Sequence, residues 1–206
     1  IDGVYHEAVS TVPDEVTILP VADLLSMSDE TMLREFRVEL DTPYFACLNS
    51  ALMRDGCYIK LKSNTTLDKP LHLLHVMTDN AVQLMCHPRV LVDVDKNSEA
   101  VILEEFASIA DHCYFNNVVT FHFATTVASL SAHCNLRYHV IADGALVIRE
   151  ELYIRHYERS SEANLVGFYN ATGKRHTAHH MRVDHFKSQC VTNQTYKGMA
   201  RDASHA

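Results

Sequence analysis

Between Pro70 and Val183 apolar and polar residues alternate in short segments, each broken after a few positions. Successive side chains of an extended strand point to opposite faces. Arg89-Val90-Leu91-Val92-Asp93-Val94 therefore puts Val90, Val92 and Val94 on one face and Leu91 and Asp93 on the other. Val119, Phe121 and Phe123 repeat the pattern against Thr120 and His122, and Leu136, Tyr138 and Val140 repeat it against Arg137 and His139. Val101 with Leu103, and Leu165 with Tyr169, bring the series to at least five short strands. Turn signals separate them at Thr78-Asp79-Asn80, Asp95 to Ser98, Asp143-Gly144, Ser160-Ser161 and Asn170 to Gly173. Short strands at near-regular spacing predict a sandwich, a barrel or a stacked β-solenoid, and no helix is predicted after Pro70.

The chain ahead of this body reads differently. Asp2-Gly3, Pro13 and Pro20 mark irregular chain with one short strand at Val16 to Leu19. Ser28-Asp29-Glu30 opens a predicted helix with Met32, Leu33, Phe36 and Leu40 as its apolar stripe. A second helix is predicted with Thr42 as cap, Pro43 at the first helical position, Phe45, Leu48 and Leu52 at helical spacing, and Gly56 as its stop. Cys57-Tyr58-Ile59-Lys60-Leu61 alternates as a strand, followed by a polar turn at Asn64-Thr65-Thr66. The expected organisation is an irregular and helical segment over 1–56 and a β core over 57–206.

Composition narrows the function classes. With 206 residues, 47% hydrophobic and 21% charged, the chain suits one main folded domain. No apolar run approaches the ~20 residues that cross a bilayer, so a soluble protein without membrane contact is expected. A formal charge of -8, from 18 basic and 26 acidic residues, opposes a nucleic-acid-binding surface. The six cysteines form no Cys-x-x-Cys pair, so neither a zinc ribbon nor a thioredoxin motif is present, and free thiols in a reducing compartment are expected. The chain begins at Ile1 without methionine or leader, and Gly198 to Ala206 offer nothing to cap a last coil. Those two features predict a processed or truncated chain with an open solenoid end.

Candidate chemistry is sparse. Among 14 histidines, His176, His179, His180 and His185 cluster in sequence, yet on a strand His176 and His180 point one way and His179 the other. They are not the His-Glu-x-x-His of a zinc protease. His72 and His75 read as positions on a strand and its end rather than a ligand pair, and His87-Pro88-Arg89 as a turn entry. Glu104-Glu105 and Glu150-Glu151 place one carboxylate on each face of a strand; an inward one must be partnered or protonated. Cys190 lies among polar residues, with His185 and Lys187 near in sequence, and cationic neighbours favour a reactive thiolate. Neither a Gly-rich phosphate loop nor Gly-x-Ser-x-Gly occurs. No catalytic residue is assigned, and a non-enzyme is expected.

These pieces, taken in order, resemble the SufB/SufD family of iron–sulfur cluster assembly scaffolds, SufD more than SufB. The likeness rests on Phe45-Ala46-Cys47-Leu48-Asn49-Ser50-Ala51-Leu52 with Asp55-Gly56, then Lys69-Pro70-Leu71-His72-Leu73-Leu74-His75 and His87-Pro88-Arg89. Glu104-Glu105-Phe106, Asn116-Asn117, Arg149-Glu150-Glu151-Leu152 and Leu165-Val166-Gly167-Phe168-Tyr169 follow, then Val183-Asp184-His185 and Tyr196-Lys197-Gly198. Asp2-Gly3-Val4-Tyr5 is similar to the segment preceding the helices of SufD-like proteins. The resemblance implies a mainly β fold, a right-handed parallel β-helix (a single-stranded β-solenoid) with a small N-terminal helical region. It implies a scaffold that supports cluster assembly and iron acquisition with SufB-like and SufC-like subunits, in a bacterial cytoplasm or plastid stroma. No cofactor is then tightly bound by this chain, although an iron–sulfur cluster can be held transiently in the full complex. Cys190 and His185 become the candidate positions for sulfur or iron handling; a metal site is not assigned. The chain departs from the family pattern by ending where a Val-Phe-x-Gly coil follows, and by a shorter stretch between Ala128 and Gly144 that puts closure of the coil register in question. The competing readings are a small β-fold metal enzyme of cupin type, whose His-x-His pair is absent, and a β-solenoid binding module for carbohydrate or protein. The lack of Trp argues against the carbohydrate version.

Overall fold

The computed structural model describes residues 1–27, 42–78, 83–108 and 119–206. The helix predicted from Ser28 to Leu40 lies outside them, as do Cys113 and Asn116-Asn117. A single 3-10 turn, Glu7–Val9, precedes strand β1 (Val16–Pro20), helix α1 (Val21–Met27) and helix α2 (Tyr44–Leu52). The β body follows as β2 (Gly56–Leu61), β3 (Leu71–Met77), β4 (Gln83–Cys86), β5 (Arg89–Val94), β6 (Glu99–Ser108) and β7 (Val119–Leu130). It continues through β8 (Asn135–Ala142), β9 (Val147–His156), β10 (Glu162–Ala171), β11 (His176–His185) and β12 (Val191–Ala200).

From β5 onward successive strands alternate between two sheets. One sheet runs β1-β2-β5-β7-β9-β11, with β4 also paired to β7, and the other runs β12-β10-β8-β6-β3. All of these pairings are parallel except that β1 lies antiparallel on β2. The result is a β-solenoid of about four turns. The fold class expected from the resemblance is thus observed, and the sandwich and barrel are set aside.

Parallel register turns period-two patterning into ladders that run along the solenoid axis. Ile59, Val92, Ala128, Ile154 and Val183 form one inward column. Leu71, Ile102, Tyr138, Leu165 and Gln194 form its counterpart on the other sheet. Most of these side chains are buried in one continuous core, and burial of such apolar surface, at about 25 cal/mol per Å2, dominates the favourable side of folding. Across the questioned stretch the register closes: Ala128 pairs with Ile154, and Leu136 lies between Ala100 and Ala163. The ladders are unbroken across it.

Only one sheet has its outer face covered among the described residues. Leu24 and Ala46 of the two helices pack on Tyr58, Leu91, Val127 and Tyr153. Helix α2 is also pinned by polar groups. Buried Asn49 donates from Nδ2 to the Pro88 and Phe123 carbonyls at 2.8 and 2.9 Å, while its Oδ1 accepts from Arg89 Nε at 2.9 Å. Asp55 accepts from the Tyr5 and Ala22 amides at 3.1 and 3.3 Å. The helix boundaries differ from those predicted. Pro43, not Thr42, occupies the N-cap and no side chain caps the helix; Met53, in extended backbone, ends it. Gly56 starts β2 instead of stopping α2, because a Cβ there would lie 1.8 Å from the Arg89 carbonyl oxygen. Helix α1 had no sequence prediction. Among the described residues no helix is long and apolar enough to cross a membrane.

Candidate functional site

Two polar groupings sit inside the apolar coil. The first occupies a corner. Ser98, Cys134, Ser161 and Cys190 each precede a strand of the second sheet, and the register of Glu99, Asn135, Glu162 and Val191 stacks these four residues in one column. Ser98, Cys134 and Ser161 are buried and Cys190 is half-buried. Both cysteines are free thiols, held apart by the intervening Ser161. Burial pushes the Cys134 thiol up to about 12, so it stays protonated.

Ser161 connects Cys190 to histidine. Its Oγ lies 2.7 Å from His156 Nδ1, 3.4 Å from the Glu158 carbonyl and 3.5 Å from Cys190 Sγ. One hydroxyl hydrogen serves one of these acceptors at a time. The Cys190 thiol donates to the Glu158 carbonyl at 3.2 Å. His156 Nε2 meets Thr192 Oγ1 at 2.8 Å, and the ring stacks on His185 with centroids 4.5 Å apart. Burial, with His185 adding to it, lowers His156 to about 4, leaving a neutral imidazole at pH 7. The two residues singled out by sequence, Cys190 and His185, thus share one corner but are linked only through Ser161 and His156. Those two intermediaries were not predicted. His156 lies under His185 by the parallel register of β9 and β11, one coil earlier, which residue order alone does not display. His156, being neutral, adds no cation beside the Cys190 thiol.

The second grouping lies along the interior of the strands. His75 Nε2 contacts Glu104 Oε1 at 2.8 Å. Tyr138 OH donates a short hydrogen bond to Glu104 Oε2, and Thr126 Oγ1 donates to the same oxygen at 3.4 Å. His179 Nδ1 contacts Glu150 Oε2 at 2.5 Å. The adjacent acids face outward: Glu105 pairs with His72 at 2.9 Å, and Glu151 lies 2.7 Å from His180, out of line for a hydrogen bond. Arg149 supplies Glu151 with two contacts of 2.8 Å, while its guanidinium stands 5.1 Å over the Phe45 ring of α2. Each of the four acids thus has a histidine within 3 Å, and Glu151 has Arg149 as well. His75 lies within β3 rather than at its end.

His176, His179, His180 and His185 point to different sides of the coil and its end. His179 points into the coil and His180 out of it, as strand geometry requires, and exposed His176 stands beside His205. Among the described residues no group of three or more His, Cys, Asp or Glu could hold an ion. The cupin-type reading finds no ligand set there.

These features define a parallel β-solenoid whose polar groupings are strung along its interior and one corner. Residues 119–206, which span β7 to β12, match the family described as SUF system FeS cluster assembly, SufBD core domain. An iron-sulfur cluster assembly SufBD family protein of Synechocystis sp. is 25% identical over 183 residues, covering 74% of this chain. Over these residues the chain is similar to the SufB/SufD family. It spans about 40% of the length of that curated relative.

Proposed function

We propose that this protein serves as a SufD-like scaffold subunit of the SUF system, assembling with SufB-like and SufC-like partners and supporting iron acquisition for cluster assembly. The observation that carries the reading is the SufBD core match over β7 to β12. In this reading the chain performs no catalysis of its own and keeps no cofactor tightly bound; a cluster passes through the complex, in a bacterial cytoplasm or plastid stroma. Cys190 and His185 handle sulfur or iron. The half-buried Cys190 thiol, backed by the Ser161 hydroxyl and the neutral His156 ring, supports a soft ligand position reachable from the surface. The order of the sequence pieces favours SufD over SufB.

The test is co-expression of the natural full-length protein with SufB-like and SufC-like chains of the same organism, followed by affinity isolation and iron and sulfide analysis. The expected result is a stable three-component complex whose cluster content falls at least severalfold with Cys190→Ser while the complex stays intact. Failure of the three chains to co-purify, or cluster content indifferent to this subunit, overturns the reading.

A further inference from the structure

The N-terminal end of the solenoid holds a cavity that lies apart from the Cys190 corner and is bordered by His72 and His75 of the acid–histidine pairs. Its volume is about 430 Å3, within the range of small-molecule sites. Residues 1–12 roof it, and this roof is tied down: Asp2 accepts from the Thr78 amide at 2.8 Å and from the Thr78 hydroxyl at 2.7 Å, and the Asp2 amide donates to Val76 O at 2.9 Å. The walls are largely apolar, with Val12, Leu71, Leu73, Met77 and Val90 among them. Among the described residues no Lys, Arg, Asp or Glu side chain lines the cavity, and the Ile1 amine is turned to the Val4 carbonyl at 2.8 Å.

Polar residues also line the cavity, among them His6, Ser10, Thr11, His72 and His75, and the most deeply buried of the polar ones is His122. His122 is 2% exposed, lines the cavity, and has no hydrogen-bond partner for Nδ1 or Nε2 among the described residues. Its ring is fixed edge-on against Phe106 and His75, with centroids 4.6 and 5.4 Å apart. His75 cannot satisfy it, because that ring is turned to Glu104. Burial, reinforced by His75 and His87, holds His122 well below the usual imidazole range, so it offers one donor and one acceptor. An unpaired buried polar group is costly, and a matching ligand group recovers that cost.

We infer that this cavity binds a small, uncharged, largely apolar molecule whose hydroxyl hydrogen-bonds to His122. The apolar walls take the body of the ligand, and no acidic or basic side chain among the described residues lines the cavity to pair an ionised head. The site is independent of the cluster-assembly role.

The test compares 1-naphthalenemethanol with 1-methylnaphthalene, two probes of like shape that differ in the hydroxyl, by fluorescence titration of the full chain. The alcohol is expected to bind saturably at one site and about tenfold more tightly, the advantage one well-made hydrogen bond gives. His122→Leu is expected to abolish that advantage while methylnaphthalene binding persists. In the unsubstituted protein, the 15N resonances of the His122 ring are expected to shift on saturation with the alcohol, a readout that does not depend on the variant folding. Absence of saturable binding, an alcohol preference that survives His122→Leu, or His122 nitrogens unmoved by the alcohol each overturn the inference.

Discussion

The dipeptide Glu-Glu occurs on β6 and again on β9, and the two copies have unequal surroundings. Each sends one acid into the coil and one out, and each inward acid meets a histidine of a neighbouring strand, His75 for Glu104 and His179 for Glu150. There the likeness ends. Glu104 also accepts from Tyr138 and Thr126, whereas Glu150 Oε1 is buried without a hydrogen-bond partner among the described residues. Burial accordingly raises Glu150 above the ordinary carboxylate value, and the nearby Glu104 charge adds to the effect. Burial first, and Glu104 second, push Tyr138 well above the usual phenol value, which keeps it a donor. Two identical inward carboxyls thus differ because strands β7 and β8 bring donors to one and not to the other. How completely a buried acid is satisfied, rather than its depth, separates the two sites.

The largest effect should come from breaking the satisfied copy. Glu104→Ala strips His75, Tyr138 and Thr126 of a shared acceptor and opens a hole beside the Leu71 to Gln194 column. Removing one member of such a buried network costs roughly 3–5 kcal/mol, a large part of a typical domain's stability. Urea unfolding of the purified protein measures it as a lowered midpoint at unchanged slope. A loss under about 1 kcal/mol would show that the three donors find other partners.

A buried histidine without a carboxylate sharpens the contrast. His156 is held between the Ser161 and Thr192 hydroxyls, and nothing among the described residues there stabilises its charged form. Its folded value of about 4 lies below the ordinary 6.5. The unfolded chain therefore binds the proton more readily, and the stability contributed by neutral His156 is full above pH 6.5 and lost as pH falls toward 4. The expected loss over that window is about 2–3 kcal/mol. Denaturant midpoints of the unsubstituted protein and His156→Gln should converge as pH drops from about 7 to about 4; parallel curves would show that His156 keeps its ordinary titration.

Much of this was legible in the sequence, for a physical reason. Period-two alternation fixes which side chains share a face, so the common face of Val90, Val92 and Val94, and the divergence of His179 from His180, follow from residue order alone, whereas on β7 the apolar Phe123 faces α2 and His122 faces the interior. The pairing of β strands is not local. Glu104 meets Tyr138 across 34 residues and His75 across 29, separations that no spacing rule brings together without the coil length. The same limit hid Ser161 and His156 between Cys190 and His185. Gly56 misled because a glycine after a helical stripe reads as a stop, while here its missing side chain makes room for the Arg89 backbone. Helix α1 escaped notice since Val21–Met27 directly follows Pro20 and holds too few turns to display a stripe.

The smallest expected effect is the one that most directly tests why the two acids differ. Glu150→Gln removes a carboxylate that the fold already disfavours when ionised, and the Gln carbonyl can still accept from His179. Because the folded value of Glu150 is raised above the ordinary 4.5, its proton is held more tightly in the native state. Stability linked to this group is therefore full below pH 4.5 and declines as pH rises through the folded value. At neutral pH Glu150→Gln should change stability by no more than about 1 kcal/mol, toward gain, and should flatten that decline. Glu104→Gln, which presents an amide to the Tyr138 donor and His75, should cost about 1–3 kcal/mol at the same pH. Equal costs for the two glutamines would mean that Glu150 is as well served by donors as Glu104, and the explanation from donor supply would fail.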